Sequence, residues 1–342
     1  MSRIVCNQVN LQGRLNRMDI RKGVAKTGNE FITVTFTLQI GETQLRVENF
    51  SMRNKKDGTE LSSYQGLMTL FNECKALHKT IKEVGEDKAT EIQDGTIVEN
   101  IDECDAIRFS NYGNFKYCRI EENSYMREGE LVKNLRLVGA SPNRVDETKK
   151  EYVPTADFEI AGKIVSVPVL MEKDEVEFMQ FKVVIPVYTE AWGEREAKVD
   201  LVEMTVRLND ESAFGYIEDE FELGSFVSLN GTIVREVKRA ELEVPMEDES
   251  RGFGRKVQHE AKYKTEIIEY YNLLGGFPLE TEEIEVTPEL SQELWEKAKE
   301  EKENKEQEMK QEKPSEPDRT FGRKQAPSQQ TSSPKKNNTL PF

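Results

Sequence analysis

The chain has 342 residues, 36% of them hydrophobic, a formal net charge of −16 and a mean hydropathy of −0.69. That length suits roughly two ordinary domains, and the composition is too polar for one compact enzyme packed from end to end. No apolar run approaches the ~20 residues of a bilayer span, and the opening MSRIVCNQVNLQGRL lacks the apolar stretch of a secretory signal, so a soluble cytoplasmic protein is expected.

Charge is spread unevenly. Residues 1–140 carry 20 Lys and Arg against 20 Asp and Glu, residues 141–278 carry 17 against 29, and residues 279–342 carry 11 against 15. A polyanionic partner would have to be held by locally gathered cations, and residues 1–60, with 10 basic against 6 acidic, are the richest source. Cys6, Cys74, Cys104 and Cys118 form no CxxC pair and read as reduced thiols. With only His78 and His259 in the chain, histidine-based catalysis is disfavoured.

In chain order, VNLQGRLNRM alternates as a strand with Gly13 inside it, which marks a bulge or sharp coil. EFITVTFTLQI alternates cleanly, with Ile32, Val34, Phe36, Leu38 and Ile40 on one face, and a short Gly41-containing link joins it to TQLRVENFSM as a hairpin. From Ser62 to Val84 the period changes: Tyr64, Leu67, Met68, Phe71, Cys74, Leu77, His78 and Ile81 predict an amphipathic helix with Ser62 and Ser63 as N-caps. AIRFSNYGNFKYCRI and LVKNLRLV return to strand character before the polar stretch at 141–154 marks a boundary.

The second region repeats this plan. FEIAGKIVSVPVLM, EFMQFKVVIPVY, KVDLVEMTVRLN, a short helix ESAFGYIEDEF, SFVSLNGTIVREV and AKYKTEIIEYYNLL give five strands with a helix between the third and fourth, the order of an OB-fold. LQGRL at 11–15 matches IAGKI at 160–164, and each glycine is followed by a Phe-led strand, at Phe31 and Phe178. The expected fold is mainly β: two tandem OB-like β-barrels at 1–140 and 155–278, with a helix inserted in the first. A charged, helix-compatible and solvated segment at 279–313 and a disordered tail at 314–342 follow.

These tandem barrels, the polar tail and the closing Leu340-Pro341-Phe342 together resemble bacterial and phage single-stranded DNA-binding proteins. The resemblance implies a non-enzymatic protein that coats exposed strand during replication, recombination or repair in the cytoplasm of a bacterial host cell. It also implies that Leu340, Pro341 and Phe342 contact partner proteins through an apolar pocket. The sequence departs from that family in its tail: residues 319–342 carry five Lys and Arg and no acid.

Binding a strand without sequence preference needs cations along the backbone and aromatic faces for the bases. Arg14, Arg17, Arg21, Lys22 and Lys26 lie along or just after the first strand, and Arg46, Phe50, Arg53, Lys55 and Lys56 lie in or after the hairpin. Arg46 and Phe50 have the parity opposite to Leu45 and Val47, so Phe50 either stacks on bases or packs under the helix. RFSNYGNFKYCR is the densest aromatic-basic interleaving, offering Arg108, Tyr112, Phe115, Lys116, Tyr117 and Arg119. Tyr112 and Tyr117 are the better stacking candidates there, while Phe109 and Phe115 could equally be core. In the acidic second region Trp192 and the SRGFGRK run, with Arg251, Phe253, Arg255 and Lys256, are the counterparts, each as readily a plain loop. That region is expected to bind weakly or act as a spacer, dimer element or tail-docking surface.

Cys74 and His78 have one-turn helical spacing, but neither they nor Cys104 and Cys118 match a zinc pattern, so no metal or other cofactor is expected. No phosphate loop, GxGxxG, GxSxG or HExxH motif occurs. The rival readings are a β-rich phage structural or assembly protein and a carboxylate-metal nuclease.

Overall fold

The computed structural model describes residues 4–110, 118–127, 130–139, 141–149, 151–173, 176–191, 196–241 and 263–311. The first barrel is built from β1 (Asn7–Val24), β2 (Glu30–Ile40), β3 (Thr43–Met52), α1 (Ser62–Glu73), β4 (His78–Glu83), β5 (Thr90–Glu91), β6 (Ala106–Ser110), β7 (Cys118–Arg127), β8 (Glu130–Gly139) and β9 (Ser141–Arg144). The second has β10 (Thr155–Ile164), β11 (Val169–Lys173), β12 (Val176–Thr189), β13 (Lys198–Leu208), α2 (Phe214–Glu220), β14 (Phe226–Glu241) and β15 (Tyr263–Pro278). α3 (Thr281–Glu285) and α4 (Gln292–Gln311) follow.

Pairing closes each set into an OB barrel. β1 pairs antiparallel with β2, and β2 with β3. β3 runs parallel to β8, β8 antiparallel to β7, and β7 and β6 return to β1. In the second set the same circuit runs β10, β12, β13, β15, β14 and back to β10, again with a parallel closure, β13 on β15. β1 and β10 also pair antiparallel from Asn7↔Ile160 to Gln12↔Thr155, so one sheet runs through both barrels. The expected fold class is therefore the observed one.

The alternation in each strand fills these barrels. Ile32, Val34, Phe36 and Leu38 are completely buried, and Phe36 meets Phe109 edge-to-face at 5.5 Å. In the second barrel Phe181 meets Phe221 at 5.8 Å, and Phe158 meets Tyr271 at 5.6 Å. The two repeated glycines stand at the bend of the first strand of each barrel. A Cβ on Gly13 would come within 2.6 Å of the Ile40 side chain and 2.9 Å of the Gln39 carbonyl oxygen, and one on Gly162 within 2.2 Å of the Val184 carbonyl oxygen. Crossing strands approach there more closely than any side chain allows, and the β1–β2 register shifts just after, between Leu15 and Arg17.

Three local expectations are corrected. The helix stops at Glu73, and His78–Glu83 is a strand lying parallel to β1, from Arg17↔His78 to Lys22↔Glu83. Leu77, His78 and Ile81 keep helical spacing, but backbone pairing to β1 outweighs it. Ser62 and Ser63 lie inside helix α1 rather than at its cap, which is Leu61 and has no polar side chain, and the Ser63 hydroxyl instead bonds the Ser51 hydroxyl at 2.7 Å. The 292–311 helix is docked rather than solvated: Trp295 stacks edge-on to Phe226 at 5.1 Å and donates from Nε1 to the Glu289 carbonyl at 2.8 Å. Its Lys302 reaches Glu122 of the first barrel at 2.7 Å and the Leu201 carbonyl of the second at 2.9 Å, so α4 ties the barrels together.

Candidate nucleic-acid interface

Side chains of one parity on β1, β2 and β3 fill the barrel, and those of the other form an outer face whose rows follow the ladder register. One row holds Arg17, Thr37 and Arg46, the next Asp19, Thr35 and Glu48, then Arg21, Thr33 and Phe50, and finally Gly23, Phe31 and Met52. Phe50 is 56% exposed, which answers the question its parity left open: it does not pack under the helix. Its ring centroid lies 5.6 Å from that of Phe31, tilted by 37°. Gly23 makes the space, since a Cβ there would come within 2.5 Å of the Phe31 ring.

The electrostatics of this face follow from which charges are already paired. Asp19 accepts from Arg17 at 2.8 Å and from the Thr80 hydroxyl. Glu48 accepts from Arg136 at 3.1 Å, and Arg136 also donates to Glu121 at 3.0 Å. Both acids of the face are thus neutralised, whereas exposed Arg21 and Arg46 meet no carboxylate among the described residues. What remains is an aromatic pair at one end of a threonine-lined sheet, with the open guanidinium groups of Arg21 in the Phe50 row and Arg46 two rows away. Such a surface can hold a polyanion that carries flat rings.

The other candidates divide. Lys26, Lys55 and Lys56 are exposed in the turns that follow β1 and β3, and Lys22 is partly buried beside them. Arg53 is held by Glu30 at 2.7 Å and Glu60 at 3.3 Å, with the Tyr64 ring 5.9 Å away. Arg14 is engaged internally: it forms a two-pronged pair with Glu147, donates to the Cys104 carbonyl at 3.0 Å and lies 4.5 Å from the Tyr152 ring centroid. The Glu147 hydrogen bond pushes its guanidinium further into the charged form, so Arg14 serves as a clamp between segments. Arg119 is taken up by Glu121 at 2.6 Å, and Arg108 is exposed on β6 opposite Gln12.

Tyr112, Phe115, Lys116 and Tyr117 lie outside the described residues, as do Trp192, the 250–256 run and Leu340, Pro341 and Phe342. The ladder around the first of these segments is clear: Ser110 pairs with Ser141 and Cys118 with Gly139. Phe31 is the residue the sequence reading missed. Its odd number puts it with Thr33 and Thr35 on the outer face, a signal that was present in the alternation.

For metal, Cys74 ends α1 and His78 begins β4, so they do not share a helical turn. Burial pushes the Cys74 and Cys104 thiols up to about 11, which leaves them protonated. Among the described residues no three or more His, Cys, Asp or Glu side chains cluster as metal ligands, and no helix is long and apolar enough to cross a membrane.

A family model, YorF, matches residues 5–111 and 117–314. The chain belongs to the YorF family. No curated protein matches it. Among solved structures, the wild-type single-stranded DNA binding protein from Thermus aquaticus is similar at 12% identity and a TM-score of 0.40, covering 82% of this chain and 95% of that one. A small single-stranded DNA-binding protein from Streptomyces coelicolor is 11% identical with a TM-score of 0.23 over 36% of this chain and 93% of that one. A Plasmodium falciparum SSB complex with ssDNA is 11% identical with a TM-score of 0.24 over 36% of this chain and 94% of that one.

Proposed function

We propose that this chain binds single-stranded DNA on the outer face of its first barrel. The observation that carries the reading is the exposed Phe50, paired with Phe31 and sharing its face with Arg21, in the same row, and Arg46, two rows along β3, two cations left without carboxylate partners among the described residues. The cations meet the phosphates, the rings stack on bases, and the threonines accommodate any sequence. Lys22, Lys26, Lys55 and Lys56 extend the positive rim, and Tyr112 and Tyr117 add stacking faces. The chain holds and protects exposed strand during phage or bacterial DNA replication or recombination, without making or breaking bonds, while Leu340, Pro341 and Phe342 contact partner proteins.

The test is Phe50→Ala. Its side chain contributes little to the core, so the protein should fold as before while affinity for a single-stranded oligonucleotide falls about tenfold, as the loss of one base stack of ~1–3 kcal/mol requires. Phe50→Trp should restore it. An alanine variant that binds as tightly as the parent would remove Phe50, and with it this face, from the interface.

A further inference from the structure

The parallel closing bridges align the barrels residue by residue. Val47 and Glu48 lie against Leu137 and Val138 in the first, and Val206 and Arg207 against Tyr271 and Asn272 in the second. The position of Glu48, an acid locked to Arg136, is therefore occupied in the second barrel by a cation, and the position of Arg136 by Tyr270. Thr33 is likewise replaced by Phe178, counting along β12 from the bend at Gly162.

These exchanges build a stack on the outer face. The Arg207 guanidinium carbon lies 3.7 Å from the Phe178 ring centroid and 4.8 Å from that of Tyr270. Its Nε donates to the Asn209 side-chain oxygen, and Asn209 donates in turn to Asn272 at 2.8 Å. The other N–H groups of the guanidinium have no partner among the described residues, whereas three other cations of this barrel are neutralised. Lys182 is held by Glu203 at 2.8 Å, Lys198 by Asp200 at 2.9 Å and Arg235 by Glu269 at 3.5 Å. A planar cation held between two rings, with N–H groups that no carboxylate takes up among the described residues, is suited to a phosphate oxygen with a base resting at its edge.

We infer that the second barrel carries its own contact for single-stranded DNA, centred on Arg207 between Phe178 and Tyr270. This rests on the single-strand reading of the first barrel and extends it: the acidic barrel is a second foothold rather than a spacer. A strand long enough to engage both barrels uses it, and one that fits a single barrel does not need it.

The variant that isolates the contact is Asn272→Asp. It places a carboxylate at the position paired directly with Arg207, gives that cation an acid of its own as Glu48 gives one to Arg136 in the first barrel, and keeps the acceptor for Asn209. Labelled oligothymidylates of about 10 and 35 nucleotides, shorter and longer than the reach of one such barrel, are titrated at several salt concentrations. For Asn272→Asp, affinity for the long strand should fall five- to tenfold and its salt slope should shrink by about 0.7, one phosphate contact. The short strand should bind within twofold of the parent and the melting temperature should stay unchanged. Arg207→Ala should show the same pattern with strand length. If Asn272→Asp binds both lengths as the parent does while Phe50→Ala is weakened, the stack is only structural and the inference falls alone. If Phe50→Ala is unaffected as well, the single-strand reading falls with it.

Discussion

At the bend of the first strand both barrels place a glycine against a crossing backbone, Gly13 against Gln39 and Ile40, Gly162 against Val184. One layer outward the likeness ends, since Glu48 tied to Arg136 in one barrel corresponds to Arg207 between two rings in the other. The inner positions answer to barrel closure, which leaves no room for a Cβ at the crossing. The outer positions answer only to what the face touches. The first barrel presents the exposed Phe50 beside half-buried Phe31 with open cations, and the second a cation caged between two rings, so the same topology carries two unlike outer faces.

The comparison can be broken most sharply at the first face. Replacing Arg21 and Phe50 together by alanine should weaken single-strand binding about a hundredfold, since a base stack and a phosphate contact are lost at once. Binding within threefold of the parent, measured by anisotropy, would show that the two faces do not differ as described. The inner likeness is tested by Gly162→Ala and Gly13→Ala. The first meets a backbone oxygen at 2.2 Å and should cost about 2–3 kcal/mol in urea unfolding, the second about 1–2 kcal/mol because its backbone oxygen, of Gln39, stands further off at 2.9 Å and its nearest contact is the Ile40 side chain. Neutral substitutions at both positions would sever the glycines from barrel closure.

The tie between the barrels should depend on acid. Burial works to raise the Glu122 carboxyl, but hydrogen bonds from Lys302 and Ser124 outweigh it and hold the group below its ordinary value of 4.5. With the folded value depressed, the contribution is complete above about pH 4.5 and is lost as pH falls through the lower folded value. Hydrogen exchange in α4 should accelerate in that acidic window, and Glu122→Gln should exchange faster at neutral pH and lose the dependence. The smallest effect belongs to Glu48→Gln. Freeing Arg136 from one of its two acids should raise single-strand affinity two- to threefold, whereas a loss would mean that Glu48 contributes to binding directly.

Local alternation was enough to recover the long strands of both barrels, because in β2 every second residue from Ile32 to Ile40 goes to the core. It failed where partners are distant in sequence. The segment after Cys74 keeps helical spacing, yet it is a strand because β1 offers it a ladder, and Lys79 within it is buried, its Nζ donating to the Phe71 carbonyl at 2.6 Å. At the candidate face, parity separated Arg46 and Phe50 from the core, but no local pattern shows that Glu147, far along the chain, takes Arg14 out of play. The Arg207 stack escaped the reading for the same reason: Phe178, Arg207 and Tyr270 come from three strands that only barrel closure brings together.

The central claim is tested most directly by titrating the intact chain into labelled single-stranded and duplex DNA of the same mixed sequence, about 30 nucleotides long, at two salt concentrations without magnesium. The account predicts tight binding to the single strand, a marked preference over the duplex, and affinity that falls steeply with salt. No binding at low salt, or equal binding to the duplex, would contradict it.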